Sequence, residues 1–100
     1  MKHEEVLELS KLFESFTKET RINILNSIYN KEKTVSEIEK ETNIKQNTLS
    51  NQLKILRDNN IVKSRRDGRK IYYSFKDHHV KEIFKMGIEH IKEENHEEEI

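Results

Sequence analysis

Residues 47–75, "NTLSNQLKILRDNNIVKSRRDGRKIYYSF", change their hydrophobic period halfway. In the first half, Leu49, Leu53 and Leu56 recur at helical spacing, which predicts a helix over about 45–58 with those leucines inward. In the second half, "IVKSRR" and "RKIYYSF" read as period-two segments on either side of Asp67-Gly68. That dipeptide is a strong two-residue hairpin signal, because glycine accepts positive φ. The stretch therefore predicts a helix running straight into a hairpin.

Upstream of it, "TVSE" at 34–37 offers a capping box. The Thr34 hydroxyl would accept from the Glu37 amide while the Glu37 carboxylate reaches back. A short helix over about 35–41 follows, with Val35 and Ile38 inward, and "TNI" turns the chain. A short helix, a tight turn and a second helix make a helix-turn-helix. Farther out, Val6, Leu9, Leu12, Phe13 and Phe16 lie at helical spacing over 4–16. Thr17 can cap a helix over about 18–30 bearing Ile22, Leu25, Ile28 and Tyr29 on one side. A last helix spans about 78–95, with Val80, Ile83, Phe84, Met86, Ile88 and Ile91 apolar. The expected fold class is mainly α with a small β-hairpin, as one domain over residues 1–100. A DNA-binding unit over about 34–76 would be flanked by dimerisation helices at about 4–16 and 78–95.

Composition narrows the classes. Only 32% of the 100 residues are hydrophobic and 38% are charged. So thin a core favours burying further surface in a dimer. No apolar run approaches the length of a membrane span, and the first ten residues, "MKHEEVLELS", lack the apolar region of a signal peptide. Cysteine is absent, which excludes disulfides and thiolate metal sites and fits a cytoplasmic protein. Net charge is zero but unevenly placed. Residues 44–76 carry 9 Lys and Arg against 2 Asp and Glu, whereas 77–100 carry 3 against 8. A basic block between acidic flanks points to a polyanion.

With the three leucines inward, Gln46, Asn47, Thr48, Ser50, Asn51 and Lys54 are free to face a partner, with Lys45 just ahead of them. Asn and Gln pair bidentately with adenine in the major groove, while Ser and Lys suit phosphates and base edges. A two-residue Asp67-Gly68 turn would set Arg66 opposite Arg69 and Arg65 opposite Lys70. Like charges directly across a ribbon repel, so an outside anion is expected to offset them. A cationic hairpin beside a helix-turn-helix is a winged helix, and double-stranded DNA is its expected partner.

The stretches "LFESFTKETRINIL" (12–25) and 47–75, with the last helix, resemble the ArsR/SmtB family of dimeric winged-helix repressors over nearly the whole chain. The resemblance implies a homodimer joined through the N- and C-terminal helices. Three departures stand out. Glu19 occupies a position usually held by proline, and Lys45 one where a capping serine is common. The segment "TVSEIEK" (34–40) lacks the cysteine pair that some relatives carry, so soft-metal sensing there is not expected.

The last helix poses its own problem. Asp77 and His79 stand at its start, His90 and Glu93 toward its end, and all four are good metal ligands. His79 and His90 are 11 residues apart, roughly 16 Å along a helix, whereas zinc needs ligand atoms about 2 Å away. Two copies of the helix packed antiparallel solve this. Asp77 would meet Glu93 of a second copy and His79 would meet His90, with Ile83 against Met86 beside the dyad. Gly87 would allow close approach. Two identical sites result, each with two imidazoles and two carboxylates. That set suits Zn(II), with Co(II) and Ni(II) as alternatives. Asp-x-His, ten residues, then His-x-x-Glu also resembles the final-helix site of zinc-sensing members of the family. His78 points elsewhere, and His3 and His96 are expected to be solvated, with His96 able to lend a nearby donor.

The expected function is a metal-responsive repressor released from operator DNA by zinc. The runner-up is a repressor of the same fold that responds to a non-metal signal or to none. Enzymatic activity is not expected, because no nucleophile–base motif or phosphate loop is present.

Overall fold

The computed structural model describes the backbone of residues 1–99 and the side chains of residues 1–93. The expectation for His96 falls outside the described side chains.

Helix α1 (His3–Glu14) leads to α2 (Glu19–Ser27). A two-residue strand β1 (Lys33–Thr34) precedes α3 (Val35–Thr42) and α4 (Gln46–Asp58). Strands β2 (Val62–Asp67) and β3 (Lys70–Phe75) form the hairpin, and α5 (His78–Glu99) closes the chain. The expected order therefore holds, with one addition. The sheet has three antiparallel strands in the order β1-β3-β2, since Lys33 and Thr34 pair with Tyr73 and Tyr72.

Local chemistry sets the boundaries. The capping box at Thr34 forms as expected: Glu37 N donates to Thr34 Oγ1 at 3.2 Å and Thr34 N to Glu37 Oε1 at 2.9 Å. Asn43 ends α3 in the left-handed conformation (φ 61°), as short polar side chains tolerate. Asn60 does the same just past α4, where Ile61 N reaches back to Leu56 O. The start of α2 departs from expectation. Its N-cap is Lys18 with no side-chain hydrogen bond, and Thr17 instead donates its hydroxyl to Glu14 O at 2.7 Å. One turn of chain binds Thr17 to the end of α1 before α2 begins.

The core lies between α2, α3, α4, the sheet and the start of α5. Ile24, Leu25, Ile38, Leu49, Leu53, Leu56, Ile61 and Val62 are essentially sealed from water. Burying each such side chain contributes about 1.5–3 kcal/mol. An aromatic cluster of Phe16, Tyr29, Phe75 and Phe84, with ring centroids 5.6–6.4 Å apart, fastens α5 to this core. The outer helices differ. None of the residues of α1 is buried, and Val6, Leu7, Leu9 and Phe13 stay 40–51% exposed. On α5, Val80 and Phe84 face the core while Met86 and Ile91 face outward.

Candidate functional site

Helix α4 turns Leu49, Leu53 and Leu56 into the core, and Lys45, Gln46, Asn47, Thr48, Ser50, Asn51 and Lys54 are all exposed. The 3.6-residue period forces that division. Lys45 is the N-cap without a side-chain bond. Asn47 Oδ1 accepts from Thr48 N at 2.8 Å, and the Lys54 ammonium lies 3.2 Å from Asp58. Both contacts are exposed, so neither removes its residue from the surface.

The wing corrects the expected register. Asp67 pairs with Lys70, Arg66 with Ile71 and Arg65 with Tyr72. The loop is therefore Gly68-Arg69, with Gly68 at φ +64°, in the manner of hairpin turns that take glycine at their first central position. This one-residue shift removes the like-charge pairs expected across the ribbon and sets an opposite-charge pair, Asp67 and Lys70, at its tip. Arg66, Arg69 and Lys70 are exposed on the hairpin.

Arg65 is held differently. Its guanidinium binds both carboxylate oxygens of Glu32, with Nε at 2.9 and 3.0 Å, and lies 4.8 Å from the centre of the Tyr72 ring. The Arg65 hydrogen bond holds the Glu32 carboxyl below its ordinary range. Arg65 thus braces the wing against the loop before β1. Nothing in the sequence signals this, since the partners are 33 residues apart.

On α5, Asp77 Oδ1 accepts from Val80 N at 3.0 Å and caps the helix. His79 Nδ1 is 3.7 Å from the same oxygen. The backbone bond from Val80 and then the His79 imidazole keep the Asp77 carboxyl ionised below its ordinary value. The structure therefore brings Asp77 and His79 together, and both are exposed. His78 and His79 diverge. His78 lines a groove with Tyr29, Lys63 and Lys81, whereas His79 lines another, of 510 Å³, with Glu8, Lys11, Asp58 and Ile83. His90 and Glu93 are exposed at i, i+3 on the far part of α5. Among the described residues of one chain, no group of three or more His, Asp or Glu residues could hold a metal ion. Gly87 has open space where a side chain would stand.

No helix among the described residues is long and apolar enough to cross a membrane.

Comparison with known proteins places this architecture. Residues 18–64, from the start of α2 into the first half of β2, match the family described as "Bacterial regulatory protein, arsR family". The chain is 27% identical to the transcriptional repressor SmtB homolog of Synechocystis over 93 residues, covering 93% of this chain and 70% of that protein. It is similar to NolR from Sinorhizobium fredii, with 31% identity, 87% of each chain covered and a TM-score of 0.78. The fold also matches the homodimeric winged helix-turn-helix DNA-binding domain Mb0332 of Mycobacterium bovis. That match has a TM-score of 0.84 at 21% identity, covering 98% of this chain and 93% of that one.

Proposed function

Because this chain belongs to the ArsR family of bacterial regulatory proteins, we propose that it represses transcription as a homodimer on two-fold-symmetric operator DNA and that Zn(II) releases it. It is a winged-helix transcription regulator and not an enzyme. In the proposed complex α4 enters the major groove, with Gln46, Asn47, Ser50 and Asn51 toward base edges and Lys45, Thr48 and Lys54 toward phosphates. Arg66, Arg69 and Lys70 of the wing meet the backbone, and Arg65 braces the hairpin that carries them.

The dimer is formed by α1 and α5, whose outward Val6, Leu9, Phe13, Met86 and Ile91 remain exposed in one chain. The observation that carries the metal reading is the convergence of Asp77 and His79 at 3.7 Å, at the start of one uninterrupted 22-residue helix. A continuous helix cannot return His90 and Glu93 to that end, so the second pair comes from another copy running antiparallel. The donors fit a hard or borderline cation: Asp77 stays ionised, and its carboxylate has lone pairs beyond the one engaged with Val80. When bound, Zn(II), or Co(II) or Ni(II) in its place, would crosslink the two α5 helices. Asp77 and His79 of one chain would then be held to His90 and Glu93 of the other, which fixes the angle between the two DNA-reading units. Imidazoles ligate in their neutral form, so affinity falls on acidification.

Calorimetric titration with Zn(II), with and without operator DNA, tests this. One metal per chain and weaker operator binding are expected, with the two ligands opposing each other by about 1–3 kcal/mol. Unchanged or tighter DNA binding in zinc refutes release. No stoichiometric metal uptake favours a repressor of the same fold with a different signal. Mixing His79→Ala with His90→Ala chains should give heterodimers with one intact site and one stripped of both imidazoles.

A further inference from the structure

Arg21 is a cation in an awkward place. It is 7% exposed, it lies in the first turn of α2 where the helix dipole disfavours positive charge, and no ion pair to it is found among the described residues. A buried charge is costly unless its donors are used. Arg21 uses them to join two other helices. Its Nε donates to Gln52 Oε1 on α4 at 2.8 Å, and its Nη1 donates to the carbonyl of Glu14, the last residue of α1, at 3.3 Å.

A second bond runs parallel to the first. Asn59 Nδ2, at the C-terminal cap of α4, donates to the hydroxyl of Ser15, which is fully buried directly after α1. Gln52 and Asn59 are seven residues apart, two turns along one stripe of α4. The end of α1 is therefore tied to the recognition helix at two points about 10 Å apart. One tie would act as a hinge; two fix both the roll of α4 and its tilt. Packing holds this end of α1 only through Leu12, which is half-buried against the core, since no residue of α1 is fully buried.

We propose that Arg21, through Gln52, is a positioning residue for operator recognition, the main member of a joint that sets the recognition helix relative to the dimer-forming α1. This rests on the DNA-binding homodimer described above. Two recognition helices must reach half-sites about 34 Å apart, and here their separation passes through α1, Arg21 and α4. A small roll of α4 would misalign Asn47 and Asn51 with base edges. It would leave the charge that attracts any DNA untouched.

The test uses a duplex that the wild-type dimer selects from a random pool, alongside a scrambled duplex of equal length and composition. Arg21→Met, Gln52→Leu and the double variant are compared by fluorescence anisotropy, with dimerisation followed by sedimentation. Each single change should weaken binding to the selected duplex by about tenfold and to the scrambled duplex by less than about twofold. The double variant should be no worse than the worse single, since both break one contact. Arg21→Lys should not rescue, because an ammonium lacks the fork that reaches both acceptors. Retained binding by both single variants overturns the proposal, as do losses that multiply in the double variant or fall equally on both duplexes. Should Arg21→Met fail to fold, Gln52→Leu and Asn59→Ala carry the same comparison. A wild-type protein that selects no duplex refutes the DNA-reading premise, and the joint with it; that result appears in the wild-type arm alone.

Discussion

The DNA-reading unit and the two outer helices draw on the same amphipathic repeat, yet the fold uses it in opposite ways. In α4 the apolar stripe of Leu49, Leu53 and Leu56 is at most 1% exposed. In α1 the equivalent stripe leaves Val6, Leu9 and Phe13 40–51% exposed, and on α5 Met86 reaches 66%. The first unit closes its core within one chain. The second holds apolar surface in reserve, and in a chain with 32% hydrophobic residues such surface is scarce. In the proposed dimer, core formation and assembly fall to different segments, so they can be broken separately.

The largest expected effect is on the closed unit. Leu53→Ala should cost about 2–5 kcal/mol of stability, read from denaturant unfolding at fixed protein concentration. A cost below about 1 kcal/mol would mean that this core is not the one that holds the fold. Phe13→Glu and Met86→Lys together should instead weaken dimerisation at least about tenfold by sedimentation while leaving the circular dichroism of the monomer intact. Loss of secondary structure in that variant would erase the distinction between the two regions.

The wing sharpens the comparison at a smaller scale. Arg66→Ala or Arg69→Ala should each lower the salt dependence of DNA binding by about 0.9 in log–log slope, one phosphate contact apiece. Arg65→Ala should leave the slope nearly unchanged, because its guanidinium is engaged by Glu32 and Tyr72. An equal fall for all three would return Arg65 to the DNA.

The smallest effect concerns pH. Hydrogen bonds from Thr34 hold the Glu37 carboxyl below its ordinary 4.5, and the Val80 amide holds Asp77 below its ordinary 3.8. A depressed carboxylate stabilises the fold above its unfolded value and loses that contribution as pH falls through the folded one. Stability should thus be level near neutrality and decline below about pH 4.5. Glu37→Gln keeps a capping side chain but cannot titrate. It should flatten part of that decline in denaturation midpoints while barely changing stability at pH 7.

Much of this was legible from residues. The leucines of α4, the Thr34–Glu37 box and the shift to period two each carry a local signal, so helix order, wing and the exposed polar face of α4 follow directly. The hairpin register did not. A glycine can occupy either central position of a two-residue turn, and moving it by one exchanged the expected Arg66–Arg69 pair for Asp67–Lys70. Strand β1 was also missed, since two residues carry no period. The proposed ligand pairs at 77/79 and 90/93 are a matter of spacing, and the helix that separates them is continuous as read.

By itself, the sequence determined the elements and their faces, because backbone period and capping act over three or four residues. Only the tertiary structure decided which charges are already engaged. Glu32 holds Arg65 from 33 residues away, and Gln52 holds Arg21 from 31 residues away. Contacts over such distances depend on how packed elements meet, and no local pattern of side chains encodes that.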